Sequence, residues 1–430
     1  MQKRRIWVYA SALLLCCNFA AALANAASNN FYLHDGDTVV FYGDSITDQR
    51  LYTVFTELYA VTRYPTMNVK FVHSGWGGDR VTGGGGGPVD VRLERDVLAY
   101  HPTVMTIMLG MNDGKYDKHV AADDETYYTG YRHIVESVRE KLPGVRITAI
   151  EPSPFDDVTR PFTLQPNGYN AILVNYGEWI KNYAKDAHVD VADLNTGLVK
   201  MLRSANASDP ATAQKIIPDR VHPGPAGHMI MAEQLLKAWN ARPIVAAVTI
   251  DAAKGKVTQA EFTKITDFHA DHPLVWTETD DALPLPLVPM LANDKDHTLA
   301  LAIQSSDIVA ALNQEPLTVT GLASGNYKLT IDGEAFGTYS AQDLAKGVNL
   351  AVLNTPMAQQ AMEVRTLTSQ HVDLHQYRWR SIQVPMLNTG NVPHLDEALQ
   401  GLDALEGDLV AKQHEAAQPH PHVFQLVPAA

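Results

Sequence analysis

The chain has 430 residues, more than one ordinary core holds, because domains usually run about 100 to 200 residues. Its 48 acidic residues against 34 basic ones give a net charge of −14, which argues against nucleic acid and anionic lipid surfaces as partners. Both cysteines, Cys16 and Cys17, lie within residues 1–26, so a mature chain starting after them is expected to form no disulfide.

Residues 1–26 differ in kind from the rest. Lys3, Arg4 and Arg5 precede an apolar stretch from Ile6 to about Ala22, and small residues end it at Ala24-Asn25-Ala26. This is the pattern of a signal peptide cleaved after Ala26, and it predicts a periplasmic or secreted protein with no membrane anchor left after cleavage. A retained anchor is the alternative reading; the Ala-x-Ala signature and the Ser-Asn-Asn that follows it favour removal. No later apolar run is long enough to span a bilayer.

From Asn30 to about Ala241, short β-rich runs alternate with helical stretches. Strands are predicted at Thr38 to Tyr42, Val69 to His73, Val104 to Leu109, Arg146 to Glu151 and Val189 to Ala192. Helices are predicted between them at Leu51 to Arg63, Asp90 to Tyr100, Glu125 to Lys141, Gly168 to Asp186 and Pro225 to Asn240. Strands apolar on both sides and alternating with helices imply a parallel sheet covered on both faces, whose ligands sit beyond the carboxyl ends of the strands.

After Arg242-Pro243 the texture changes to Thr- and Val-rich segments broken by Pro and Gly. Strands are expected at Ala246 to Ile250, Leu274 to Glu278, Leu299 to Ile303, Leu317 to Val319 and Tyr327 to Ile331, with Asp332-Gly333 as a hairpin turn. The division expected is therefore a first domain over 27–245 and a sandwich-like β domain over 246–355, followed by a helical segment over 356–418 and a tail over 419–430. Within the helical segment, Leu395, Leu399, Leu402, Leu405 and Leu409 form one apolar stripe, read as packing.

Chemistry gathers at strand ends. Gly43-Asp44-Ser45 ends the first strand, "HSGWGGDR" the second and "LGMNDG" the third, while "DRVHPGPAGH" places Asp219 and His222 three residues apart where a helix opens. Each alone suits a turn or a cap. Together they supply what a serine nucleophile requires, which is a base within hydrogen-bond reach and a group that orients the base. Ser45, His222 and Asp219 fill those roles. Acyl transfer also demands donors for a developing oxyanion, and the backbone N–H groups of Ser45 and Gly78 and the side-chain amide of Asn112 are the candidates. Asp44 is read as structural.

On these blocks, "GDSIT", "GWGGD", "GMND" and "DRVHP", the chain resembles the SGNH hydrolases of the GDSL esterase/lipase superfamily over roughly residues 35 to 240. The Ser, Gly, Asn and His of the family name match Ser45, Gly78, Asn112 and His222 in order. The resemblance implies a three-layer α/β/α fold with a flavodoxin-like parallel sheet, here followed by a C-terminal β-rich domain and trailing helices. It also implies no metal, no cofactor, and ester hydrolysis through a Ser45 acyl-enzyme. His73 departs from the family, which often carries Asn there, and it is left out of the catalytic set. Arg80 and Asp113 border the site as structural or substrate contacts. Trp76 is read either as packed or as stacking on a sugar ring, with Gly83 to Gly87 either a surface loop or a flexing lid.

The expected substrate is an acylated small molecule or carbohydrate, most plausibly an acetyl ester on a carbohydrate. Lipases, lysophospholipases and thioesterases of the same superfamily are the enzymatic rivals. Two other classes are weighed: a binding protein with a lapsed site, which the intact Ser45, Asp219 and His222 oppose, and a metal hydrolase using His414, His420 and His422, which their place near the expected tail opposes.

Overall fold

The computed structural model describes residues 30–164, 166–271, 273–387 and 389–429; the expected signal peptide lies outside them. In the first half the strands are β1 (Thr38–Gly43), β2 (Lys70–Gly75), the short β3 (Gly83–Gly84) and β4 (Gly87–Pro88), β5 (Val104–Met108), β6 (Arg146–Ile150) and β7 (Asp190–Ala192). β3 and β4 pair only with each other, and the other five form a parallel sheet in the order β2-β1-β5-β6-β7. Val39, Val40, Phe41 and Tyr42 of β1 are fully buried, as a strand covered on both faces must be. Helices flank the sheet: Tyr127 and Tyr131 of helix Ala121–Lys141 donate to the carbonyls of Leu109 and Ile107, whereas Tyr52 of helix Leu51–Arg63 meets Phe41 edge-on. This is the expected α/β/α layering. Chain order reverses on either side of β1, so the crevice for a ligand opens at the carboxyl ends of β2, β1 and β5.

The second half holds two further sheets. β8 (Ala247–Asp251), β9 (Lys256–Glu261), β10 (Thr263–His269), β11 (Leu274–Asp280), β12 (Pro316–Thr320), β13 (Asn326–Ile331), β14 (Glu334–Ser340), β15 (Val348–Asn349) and β16 (His422–Ala429) form sheets ordered β10-β11-β16-β13-β14 and β15-β12-β8-β9. The β13–β14 hairpin turns at Asp332-Gly333 with φ of 49° and 85°, the double left-handed geometry that favours this dipeptide.

Three expectations are corrected. Residues 419–430 are not a tail through their described length, because β16 lies in mid-sheet, pairing antiparallel with both β11 and β13; the β unit is thus not confined to 246–355. Leu299 to Ile303 is helical, within Thr298–Ser305, and burial of Leu299, Leu301, Ala302 and Ile303 around most of its circumference erases the amphipathic period. The leucine stripe of helix Leu395–Ala416 is only partly core: Leu399 is buried but Leu405 is 50 % exposed.

Helices Pro356–Gln376 and Leu395–Ala416 return to the first domain, joined to it by buried polar contacts. Glu57, on helix Leu51–Arg63, accepts from His371 at 2.5 Å and from Gln413 at 2.8 Å, and pairs with His73 at 3.1 Å. His73 Nδ1 meets Thr53 Oγ1 at 2.6 Å, so this departure from the family pattern belongs to the joint between the two parts. Beyond Gln376 the chain continues as a π-helical segment, Tyr377–Gln383, where Trp379 Nε1 donates to Asp96 at 2.7 Å.

Candidate active site

Ser45 stands where β1 ends, as the first residue of a single helical turn, Ser45–Asp48. Asp44 caps that turn by accepting the Ile46 N–H at 3.0 Å, a structural role that satisfies a donor the turn cannot pair internally. Burial pushes the Asp44 carboxyl up to about 7, against the lowering effect of the Ile46 N–H, and Asp113 and Asp79 nearby add to the rise. Gly43 is required: a Cβ there would lie 2.2 Å from Thr47 Oγ1 and 2.7 Å from the Met108 carbonyl.

The loop before helix Pro225–Ala238 carries the partners of Ser45. His222 Nε2 lies 2.8 Å from Ser45 Oγ, and His222 Nδ1 lies 2.6 Å from Asp219 Oδ2. With the carboxylate accepting at Nδ1, the proton sits on that nitrogen and Nε2 is free to accept from the serine hydroxyl. Asp219 also receives the backbone N–H groups of Val221 and His222 at 2.9 and 2.7 Å. Partial burial alone would raise its pKa, but these bonds and the His222 ring outweigh it and hold the carboxyl below its usual range. Asp219 therefore stays anionic at any working pH.

A buried second histidine locks this loop to the serine turn. His228 Nδ1 accepts the Tyr52 N–H at 3.2 Å and His228 Nε2 meets Gln49 Oε1 at 3.0 Å, while Gln49 Nε2 donates to the Pro223 carbonyl at 3.4 Å. Burial drives the His228 pKa down to about 3, with the His222 ring adding to the fall, so His228 is neutral. Nε2 is thus the protonated nitrogen, donating to Gln49.

The three oxyanion candidates come from adjacent strand ends: Ser45 after β1, Gly78 after β2 and Asn112 after β5. Gly78, with φ of 77°, is exposed. Among the described residues, no hydrogen bond occupies the Ser45 or Gly78 N–H. Asn112 Nδ2 donates one of its two hydrogens to the Asp79 carbonyl at 3.0 Å, and Asn112 Oδ1 accepts from the Tyr116 hydroxyl at 2.9 Å. The Asp79 carbonyl, which can only accept, fixes which end of the amide is the donor, and Tyr116 steadies the other end, a role sequence reading missed. Its only sequence signal was its place four residues after Asn112.

Arg80 and Asp113 hold backbone. Arg80 Nε donates to the Asn112 carbonyl at 3.0 Å, and buried Asp113 accepts the Val81 N–H at 3.0 Å. Of the two readings of Asp113, the structure displays the structural one, its carboxylate holding the Val81 N–H. Trp76 is also engaged by protein: the Arg380 guanidinium lies 3.4 Å from its ring centroid, Arg95 and Arg92 at 5.0 and 5.3 Å, and Trp379 meets it edge-on. These contacts replace the sugar-stacking reading. Gly83 to Gly87 forms the β3–β4 hairpin packed beside this cluster; a Cβ on Gly86 would lie 2.3 Å from Arg92 Cδ and 2.8 Å from the Trp76 ring.

A family model described as the GDSL-like lipase/acylhydrolase family matches residues 41–230, the span holding every block assembled above. Residues 41–230 are an SGNH hydrolase domain. Over 228 residues, 47% of this chain and 93% of its own length, an acetylxylan esterase of Geobacillus stearothermophilus is 25% identical. A solved structure of a gut microbial diltiazem-metabolizing enzyme is 27% identical, covers 92% of this chain and 98% of its own, and superposes with a TM-score of 0.78, so the C-terminal sheets and helices are shared as well as the hydrolase domain. A solved acetylxylan esterase of Geobacillus stearothermophilus is 23% identical over 48% of this chain and 96% of its own, with a TM-score of 0.40. The protein is a carboxylic ester hydrolase.

Within the SGNH hydrolase domain, Ser45, His222 and Asp219 are hydrogen-bonded in sequence, with Ser45 and His222 only partly covered. Among the described residues no cluster of three or more His, Cys, Asp or Glu is placed to hold a metal ion. His422 lies on β16 with Nδ1 2.6 Å from Asp332, far along the chain from the blocks that form the site. Removing the Tyr116 hydroxyl takes away one of the two hydrogen bonds that hold the Asn112 amide and leaves the one to the Asp79 carbonyl. Tyr116→Phe is expected to lower kcat for p-nitrophenyl acetate roughly tenfold, the worth of about one hydrogen bond, with KM little changed; steady-state kinetics on the two proteins checks this.

Proposed function

We propose that this SGNH hydrolase is an exported serine esterase that removes O-acetyl groups from carbohydrate. The observation that carries the reading is the Asp219–His222–Ser45 hydrogen-bond chain, at 2.6 and 2.8 Å, at the carboxyl end of β1. Ser45 Oγ attacks the ester carbonyl while His222 Nε2 takes its proton, and Asp219 stabilises the imidazolium. Negative charge on the carbonyl oxygen is met by the N–H groups of Ser45 and Gly78 and by the Asn112 amide. Collapse expels the sugar oxygen, which takes the proton from His222 and leaves acetyl on Ser45; water activated by His222 then releases acetate.

The acetyl and carbohydrate parts rest on other support: the similarity to an acetylxylan esterase, the accessory β sheets, and the signal-peptide pattern of residues 1–26. Acetate release from acetylated xylooligosaccharides, beside p-nitrophenyl esters from acetate to dodecanoate, tests them. The reading predicts activity on the oligosaccharide and a rate that falls steeply with acyl length. Preference for the dodecanoate would instead make the protein a lipid esterase. Asn112→Ala is expected to lower kcat about 10²- to 10³-fold, the usual worth of one oxyanion donor, with little change in KM. An unaltered kcat would remove Asn112 from the oxyanion site.

A further inference from the structure

The oxyanion loop runs Gly75-Trp76-Gly77-Gly78, and a segment so rich in glycine does not fix its own peptide planes. Its clamp comes from elsewhere. Asp48, on the same helical turn as Ser45, accepts the Gly77 N–H at 3.2 Å. That carboxylate is held by residues more than 300 positions later: Gln376 Nε2 donates to it at 3.2 Å, and Arg380 Nη1 lies 3.4 and 3.5 Å from its two oxygens. The same Arg380 nitrogen reaches the Gly75 carbonyl at 3.4 Å while its guanidinium lies over Trp76. Arg50, beside Asp48, reaches Asp373 at 3.5 Å, so contacts to the serine turn recur along one stretch of the C-terminal helix.

We infer that Arg380 and Gln376, acting through Asp48, are positioning residues for the oxyanion loop, so the C-terminal helical segment completes the esterase site. The inference rests on the serine-esterase reading. Gly77 N–H and Gly78 N–H belong to consecutive peptides, so anchoring the first sets the origin from which the second is aimed. Arg380 bonds the loop's start at Gly75, stacks on its side chain at Trp76 and, through Asp48, secures Gly77. Lysine, a compact charge without a planar face, would keep the attraction to Asp48 and lose the stacking.

The test uses the full chain and p-nitrophenyl acetate, comparing wild type, Arg380→Ala, Arg380→Lys, Gln376→Ala, Asp48→Asn and Asp48→Ala, with Ser45→Ala as reference. Arg380→Ala is expected to lower kcat ten- to a hundredfold with KM within about threefold, and Arg380→Lys to recover part of the loss. Asp48→Asn, which keeps an acceptor for the Gly77 N–H, should retain more activity than Asp48→Ala. Melting temperatures and the labelling rate of Ser45 by a fluorophosphonate are read on every variant. Normal kcat in folded Arg380→Ala and Asp48→Ala overturns the inference, as does a loss that follows melting temperature alone across the set. Should Arg380→Ala not fold, Gln376→Ala and the Asp48 pair decide by the same criteria. Wild-type activity in Ser45→Ala would instead overturn the esterase reading on which the inference stands.

Discussion

Ser45→Ala is expected to lower kcat/KM for p-nitrophenyl acetate by about 10⁴-fold or more while leaving the fold intact. Among the described residues, the hydroxyl hydrogen-bonded to His222 Nε2 is that of Ser45, at 2.8 Å, and the proposed mechanism makes it the nucleophile. What survives is the rate the oxyanion donors and binding supply without a nucleophile. Alanine suits the first position of a helical turn capped by Asp44, so circular dichroism and melting temperature should match wild type closely. His222→Ala should fall nearly as far, and the double variant scarcely further, because residues acting as one unit are not additive. An active Ser45→Ala enzyme would move the chemistry to another residue.

The second large effect is on stability. Glu57 is buried with His371 at 2.5 Å and His73 at 3.1 Å, and His371 faces Glu406 on the second C-terminal helix at 3.7 Å. Burial alone would raise the Glu57 pKa, but His371 and His73 pull it down to about 2. Burial alone would lower that of His371, but Glu57 and Glu406 lift it to about 10. Glu57→Ala removes the buried acceptor shared by His371, His73 and Gln413 and leaves the His371 charge with Glu406 alone at 3.7 Å, so it is expected to cost about 3 to 5 kcal/mol in urea unfolding. The pH dependence has two limbs. The stabilisation due to Glu57 is present above the ordinary carboxylate pKa and is lost as pH falls toward 2. That due to His371 is complete below the ordinary histidine value near 6.5 and is lost as pH rises toward 10. Wild-type stability should therefore decline between about pH 7 and pH 10, and Glu57→Ala should lose much of that slope. A wild-type profile flat over this interval would show that the His371 charge does not contribute.

The hydrolase domain was legible because its physics is local. Four apolar residues, Val39 to Tyr42, followed at once by Gly-Asp-Ser mark a buried strand delivering a side chain to a crevice, and Asp219 and His222 meet within one short loop. What failed to show depended on partners distant in sequence. β16 carries Pro and Ala that weaken any strand signal, and it exists because Leu426 pairs with both Leu274 and Leu329, in strands about 150 and 100 residues earlier. Leu299, Leu301 and Ile303 alternate as a strand would, yet form a helix buried on most sides. Arg380 carries no motif; its meaning comes from the turn of helix that sets it over Trp76. Trp76 itself was singled out correctly as unusual, but its neighbours are arginines of the same chain rather than an open face for a sugar.

The central claim is an acyl group carried on Ser45, and acid-quenched turnover followed by peptide mapping addresses it most directly. Wild-type protein is mixed with p-nitrophenyl acetate, stopped in acid during the first turnovers, digested and read by mass spectrometry, with His222→Ala and Ser45→Ala run in parallel. The account predicts one acetyl group on the peptide containing Ser45 in wild type, its disappearance once substrate is exhausted, and none in Ser45→Ala. Acetyl on a different residue that turns over at the catalytic rate would contradict the account, as would full turnover by Ser45→Ala.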